Sequence, residues 1–200
     1  MSQATMTEKP PRQPMNGVNT PGLFATINAV DAQRELGKFR FQSMNRWMGG
    51  THSRNYVSTF YGAGGDQQHV KEFTVDADHP QVFQADDSAP LPVELVLCAL
   101  ASCITGGIAT VAAARRVALH SVESTIEGEL DVQGILGLSP DVRNGFSNIR
   151  IDFKVEGDAP EETLRASVEQ SKLACADNCL DSAVDVQFCI NIPCMLLDST

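Results

Sequence analysis

The residues of this chain best able to do chemistry are its six cysteines, Cys98, Cys103, Cys175, Cys179, Cys189 and Cys194. Their spacings are C-x4-C, C-x3-C and C-x4-C, with no C-x2-C knuckle. His52, His69, His79 and His120 are too scattered to complete a ligand set, so no metal site is expected. A disulfide framework belongs to short exported domains. This sequence instead starts Met-Ser-Gln-Ala-Thr and runs into prolines without an apolar signal segment, so a cytoplasmic protein is expected. Several of the thiols then serve as small buried apolar residues, and the question is which are reactive.

A thiol becomes a nucleophile when its thiolate is stabilised and a second group can act on the product. Cys103 lies eleven residues past Pro92, roughly 16 Å along a helix at about 1.5 Å per residue. The helix dipole fades within the first turn, so activation there needs a cation from another element. Arg54 is the candidate. Cys175 and Cys179 are four apart and share a helix face; either can pair with Cys103 if two helices oppose these faces. That is the arrangement of a two-cysteine peroxidase, in which hydroperoxide oxidises one thiolate to a sulfenic acid and the second condenses with it.

The element that carries Cys103 dominates the sequence. Between Glu94 and Arg115 lie 20 uncharged residues, opened by Pro92 and Glu94 and closed by Arg115 and Arg116. This predicts a helix of about 25 residues, apolar nearly all round and so buried on most sides. Its length also suits a membrane span, but its Ala, Gly, Ser, Thr and Cys content suits close packing in a soluble protein better. The net charge of −10 argues against nucleic acid and anionic membranes as partners.

The other elements follow from periodicity. Residues 1–20, with Pro10, Pro11 and Pro14, predict a disordered arm, and 21–200 a single domain. Its first part, 21–90, holds a short helix from Gly22 to Leu36 and a meander of three strands turned at Gly49-Gly50 and Gly62–Asp66. Asp76 to Ala89 is a loop. The second part, 91–200, is helix, two strands, helix, strand. Ile149, Ile151, Phe153 and Val155 alternate cleanly, Asp158-Ala-Pro-Glu161 signals a capped second helix ending near Ala176–Leu180, and Val184 to Ile190 is a final strand. The order predicts an α+β fold. No Walker or dinucleotide pattern is present, and the expected chemistry needs no cofactor.

Pro92-Val-Glu-Leu-Val-Leu-Cys-Ala-Leu-Ala-Ser-Cys103 resembles the Pro-x-Glu-Leu helix of the OsmC/Ohr family, which ends in Ala-Ala-Cys. Arg46-Trp-Met-Gly-Gly-Thr-His-Ser-Arg54, Phe60-Tyr-Gly-Ala-Gly-Gly65 and Gly134-Ile-Leu-Gly-Leu-Ser139 extend the similarity over roughly residues 38–190 in the same order. The resemblance implies an OsmC-like fold: antiparallel sheets around two long buried helices in an intertwined homodimer, with active sites at the interface. It implies reduction of organic hydroperoxides, with Cys103 as the peroxidatic and Cys175 as the resolving cysteine. Arg54 would be the activating arginine, with Glu94 assisting, and a dithiol such as a lipoylated protein the reductant.

Two positions depart from the family pattern. Ala176 follows Cys175 where proline is usual. Val93 follows Pro92, so Glu94 stands one residue late and about 100° round the helix. Two further readings therefore stand beside the peroxidase: a non-catalytic domain binding a small hydrophobic ligand in an interface cavity, and a redox sensor.

Overall fold

The computed structural model describes residues 13–179 and 185–191, and of the side chains beyond Lys172 only that of Ile190. The chain runs α1 (Thr20–Ala32), β1 (Arg40–Phe41), β2 (Met44–Gly49), β3 (His52–Gly62), β4 (Gly65–Ala77), α2 (Pro92–Ala114), β5 (Leu119–Leu130), a single turn α3 (Val132–Ile135), β6 (Phe146–Gly157), α4 (Glu161–Cys179) and β7 (Asp185–Asn191). Two sheets result. In the first, β3 is central, with β4 antiparallel on one edge and β1 and β2 along the other. In the second, β6 is central between antiparallel β5 and parallel β7.

The parallel pairing departs from an all-antiparallel expectation. A parallel return needs a long crossover, and the 19-residue helix α4 supplies it. Asp158, expected to cap α4, instead pairs with His120 at 2.6 Å, and the first turn closes on the Pro160 carbonyl, which accepts from Thr163 and Leu164. Asn19 caps α1 by accepting from Gly22 N–H at 3.1 Å. Of the expected disordered arm, residues 1–12 lie outside the described part, and residues 13–20 are ordered. Asn16 explains the order: its side chain donates to the Val117 carbonyl at 2.9 Å and accepts from Leu119 N–H at 3.0 Å. Those groups would otherwise be unpaired at the start of β5.

The core lies between the second sheet and the two long helices. Ile149, Ile151, Phe153 and Val155 of β6 are buried on one face, as their alternation requires. Against them sit Leu100, Ile104, Ile108 and Ala112, one four-residue stripe of α2, with Leu164 and Val168 of α4. The helices touch where Gly107 meets Ser171: a Cβ on Gly107 would come within 3.0 Å of the Ser171 Cβ. Ser171 turns its hydroxyl inward, donating to the Ser167 carbonyl at 2.8 Å. Arg115 then reaches Gln170 at 2.8 Å, and Val117 and Arg116 N–H groups bond back to Ala112 and Ala113, ending α2 with Arg116 at φ +62°.

Within one chain helix α2 keeps one face open, where the sequence predicts burial on most sides and a homodimer around it. Pro92, Val96, Ala99, Cys103 and Gly106 form its exposed face. The helix is long and apolar enough to cross a membrane, but its other face is core. The reason for the exposure is architectural: one sheet and one helix can cover only part of a cylinder, and among the described residues the elements packed on α2 are α4 and β5. The meander itself exposes Phe41 and Trp47 at 72% each. Ile108→Ala removes a fully buried side chain between α4 and β6 and should cost about 2–5 kcal/mol, read as a lowered denaturant midpoint at fixed protein concentration.

Candidate functional site

Cys103 occupies the exposed face of α2, in its middle, and Cys98 is exposed as well. The helix start beneath them is fixed by Glu94, whose carboxylate accepts from Leu91 N–H at 2.8 Å. This satisfies a donor at the helix start and places negative charge at the positive end of the dipole. Among the described residues it is the bond Glu94 makes, so this carboxylate is not on Arg54. Cys175 and Cys179 fall near the end of α4 and Cys189 on β7, where side chains are outside the described part, as all of Cys194 is.

Arg54, on β3, faces Asp76, its register partner on β4. The pair is bidentate: Nε donates to Oδ1 at 2.6 Å and Nη2 to Oδ2 at 2.7 Å. His52 approaches the same Oδ2 at 3.2 Å. The Arg54 hydrogen bonds, and after them His52, hold the Asp76 carboxyl down to about 2 against partial desolvation. The same hydrogen bonds and the carboxylate charge push the guanidinium further above its ordinary value. Arg54 thus stays cationic at a fixed place on the meander. Within one chain it makes no hydrogen bond or ion pair to Cys103.

Two residues further, Asp78 is buried and saturated. It accepts from Thr51 Oγ1 at 2.6 Å, His79 N–H at 2.8 Å, Ser88 Oγ at 2.7 Å and Ser88 N–H at 3.0 Å. The Thr51 hydroxyl, then the Ser88 hydroxyl and N–H, hold its carboxyl well below the usual range. Its own N–H donates to the Pro90 carbonyl at 3.1 Å. One carboxylate therefore ties the β2–β3 turn, the loop and the approach to α2 together. That loop leads into an apolar cavity of about 340 Å³ between it, the start of α2 and α3, with His79 at its edge.

The structure gathers Arg54, Asp76 and His52, and leaves Cys103 and Glu94 on α2. Sequence reasoning passed over Asp76, Asp78 and His79 as loop residues. Asp76 had one signal, its place across a hairpin from Arg54; Asp78 had none, because its side-chain partners Thr51 and Ser88 are 27 and 10 residues away. Among the described residues no three His, Cys, Asp or Glu side chains are grouped to hold a metal.

An exposed cysteine halfway along an apolar helix, packed on a second cysteine-bearing helix over a mixed sheet, with a separate β-meander, defines an α+β thiol protein. The chain matches the OsmC-like protein family over residues 85–188, just over half its length, and it belongs to that family. Solved structures agree on the fold. An OsmC-like protein from Mycoplasma pneumoniae superposes with a TM-score of 0.58 at 11% identity, over 76% of this chain and 96% of that one. An osmotic-stress-induced and detoxification response protein from Psychrobacter arcticus gives 0.56 at 14%, over 74% and 94%. An organic hydroperoxide resistance protein OsmC from Legionella pneumophila gives 0.51 at 18%, over 76% and 97%. No curated protein matches the chain.

A carboxyl whose value is lowered stabilises the fold above its unfolded value of 3.8 and loses that contribution as pH falls toward about 2. Asp76→Asn should therefore lower the denaturant midpoint near pH 6, and the gap to wild type should close between pH 4 and pH 2.

Proposed function

We propose that this protein is a thiol peroxidase that reduces organic hydroperoxides with Cys103 as the attacking thiol and Cys175 as the resolving one. The observation that carries this reading is the register of the two long helices. Gly107 faces Ser171, and Arg115 reaches back to Gln170, so α2 and α4 run antiparallel. One turn before Gly107 stands Cys103; one turn after Ser171 stands Cys175. A pairing that continues at this register would set the two positions opposite each other, with Cys179 a further turn away.

The chemistry follows. The Cys103 thiolate attacks a hydroperoxide oxygen, the O–O bond breaks and the alkoxide leaves as an alcohol on protonation, which leaves a sulfenic acid. The Cys175 thiol displaces its oxygen as water and forms a disulfide. A dithiol, such as a lipoylated protein, restores both thiols by exchange. An organic rather than a small polar peroxide suits the charge-free walls that α2 offers around Cys103.

A second copy of the chain would complete the site. The exposed face of α2 and the exposed Phe39, Phe41, Met44 and Trp47 of the meander need covering, and a homodimer that lays one on the other would bring Arg54 to Cys103. Asp76 then takes the place of the helix-opening acid, since Glu94 is committed to Leu91. The reading places the protein in the cytoplasm, with no nucleic acid or membrane among its partners.

One observation favours a non-catalytic, ligand-binding domain instead: among the described residues the carboxylate that Arg54 pairs with is Asp76. The two readings separate by thiol counting. One equivalent of cumene hydroperoxide should consume two thiols and yield a Cys103–Cys175 disulfide by peptide mapping, and Cys103→Ser should abolish it. Survival of all six thiols would leave the ligand-binding reading. Asp76→Asn should slow the reaction by roughly 10- to 100-fold with the disulfide unchanged, the size expected when an activating group is left without its orienting partner.

A further inference from the structure

The cavity beside His79 is used by none of the chemistry above. It lies at the opening of α2, with Pro92 in its wall, roughly 16 Å along the helix from Cys103 at about 1.5 Å per residue. Its volume of about 340 Å³ stands at the lower end of small-ligand pockets, which run roughly 300–1,000 Å³. Phe83, Val132, Ile135 and Leu136 make it greasy, and no carboxylate, amine or amide lines it.

The one polar group in that wall is the His79 imidazole. It stands edge-on to Phe83, with ring centres 6.1 Å apart, and makes no hydrogen bond among the described residues. The ring is half-exposed, so its nitrogens are reachable and can offer a hydrogen bond to a ligand seated on the apolar walls. Its backbone is already immobilised: its N–H donates to Asp78 Oδ1 at 2.8 Å and its carbonyl accepts from Asp87 N–H at 3.1 Å. The anchor is therefore preorganised, which lowers the cost of binding.

The charge around the anchor selects the ligand's head. Asp78 is ionised directly behind His79, Asp86 and Asp87 stand on the same loop, and the chain as a whole carries −10. An anion would meet like charge on approach. A neutral head that shares one hydrogen bond with imidazole meets none. We propose that this cavity is a binding site for a neutral single-chain amphiphile, a medium-chain alcohol or similar, with its chain on α3 and its polar end on His79. The site requires neither Cys103 nor turnover.

The test is a backbone-amide NMR titration of the full-length protein with octan-1-ol and, separately, octanoate. Saturable shifts at Val93, Leu130 and Ile135 with octan-1-ol, and weaker binding of octanoate, are expected. His79→Leu keeps the walls apolar and should weaken octan-1-ol roughly three- to tenfold, the worth of one hydrogen bond. Ile135→Asp, at a position 58% exposed and so harmless to folding, should abolish binding. Cys103→Ser should bind as wild type, so loss of peroxidase activity and loss of this site are separate results. Octanoate binding as well as the alcohol, or His79→Leu binding unchanged, would overturn the assignment. So would absent shifts together with a change of sedimentation on Ile135→Asp, which would make this face a contact between copies of the chain.

Discussion

The close approach of α2 to α4 at Gly107 is the constraint from which the rest of the structure follows. Because Gly107 lacks a side chain, the Ser171 Cβ can sit where a larger residue would keep the helices apart. Small residues at a contact let backbones come close and pack by dispersion over a long line. The contact fixes the antiparallel register, on which the proposed pairing of thiols rests. It also turns the Leu100–Ile104–Ile108–Ala112 stripe into the sheet, and so leaves Pro92, Val96, Ala99 and Cys103 facing out. A bulkier residue at 107 would rotate or separate the helices and alter both consequences at once.

Much of this was legible in the sequence because it rests on short-range patterns. The alternation Ile149–Ile151–Phe153–Val155 specified a strand with one buried face, and the buried face is the one found. The charge-free run from Leu95 specified a long helix with Pro92 and Glu94 at its start. What periodicity could not give was the side on which the helix is left open: an all-apolar wheel has no polar face to mark the exposed stripe. The parallel placement of β7 escaped for a related reason, since the final strand's own residues do not say which way it runs beside β6.

The site was legible where one element carries it and obscure where two must meet. Cys103 stands out because its helix is so uniform. Arg54 stands out only as a cation on a strand; its partner is chosen by the β3–β4 register, which sets Asp76 directly across from it. Glu94 looked like the acid for Arg54 because it opens the helix, yet a first-turn carboxylate has a nearer task, the N–H of Leu91, and performs it. That bond uses one of its two oxygens, and within one chain the carboxylate paired with Arg54 is that of Asp76. Asp76 is well suited to that task, because the bidentate fork fixes the guanidinium plane as well as its position.

The two ends of α2 therefore carry different burdens. Its opening is rigid: Glu94 closes the first turn, and Asp78 binds the preceding loop through Thr51, Ser88 and His79, all satisfied locally. Rigidity there suits a preformed pocket, whose walls must not collapse when empty. Its middle is open, with Cys103 on an exposed face. On the proposed reading, a thiol that meets peroxide, a partner thiol and a reductant in turn needs access more than enclosure. A single long helix can meet both demands because about 16 Å of it, at about 1.5 Å per residue, separates the rigid end from the open middle.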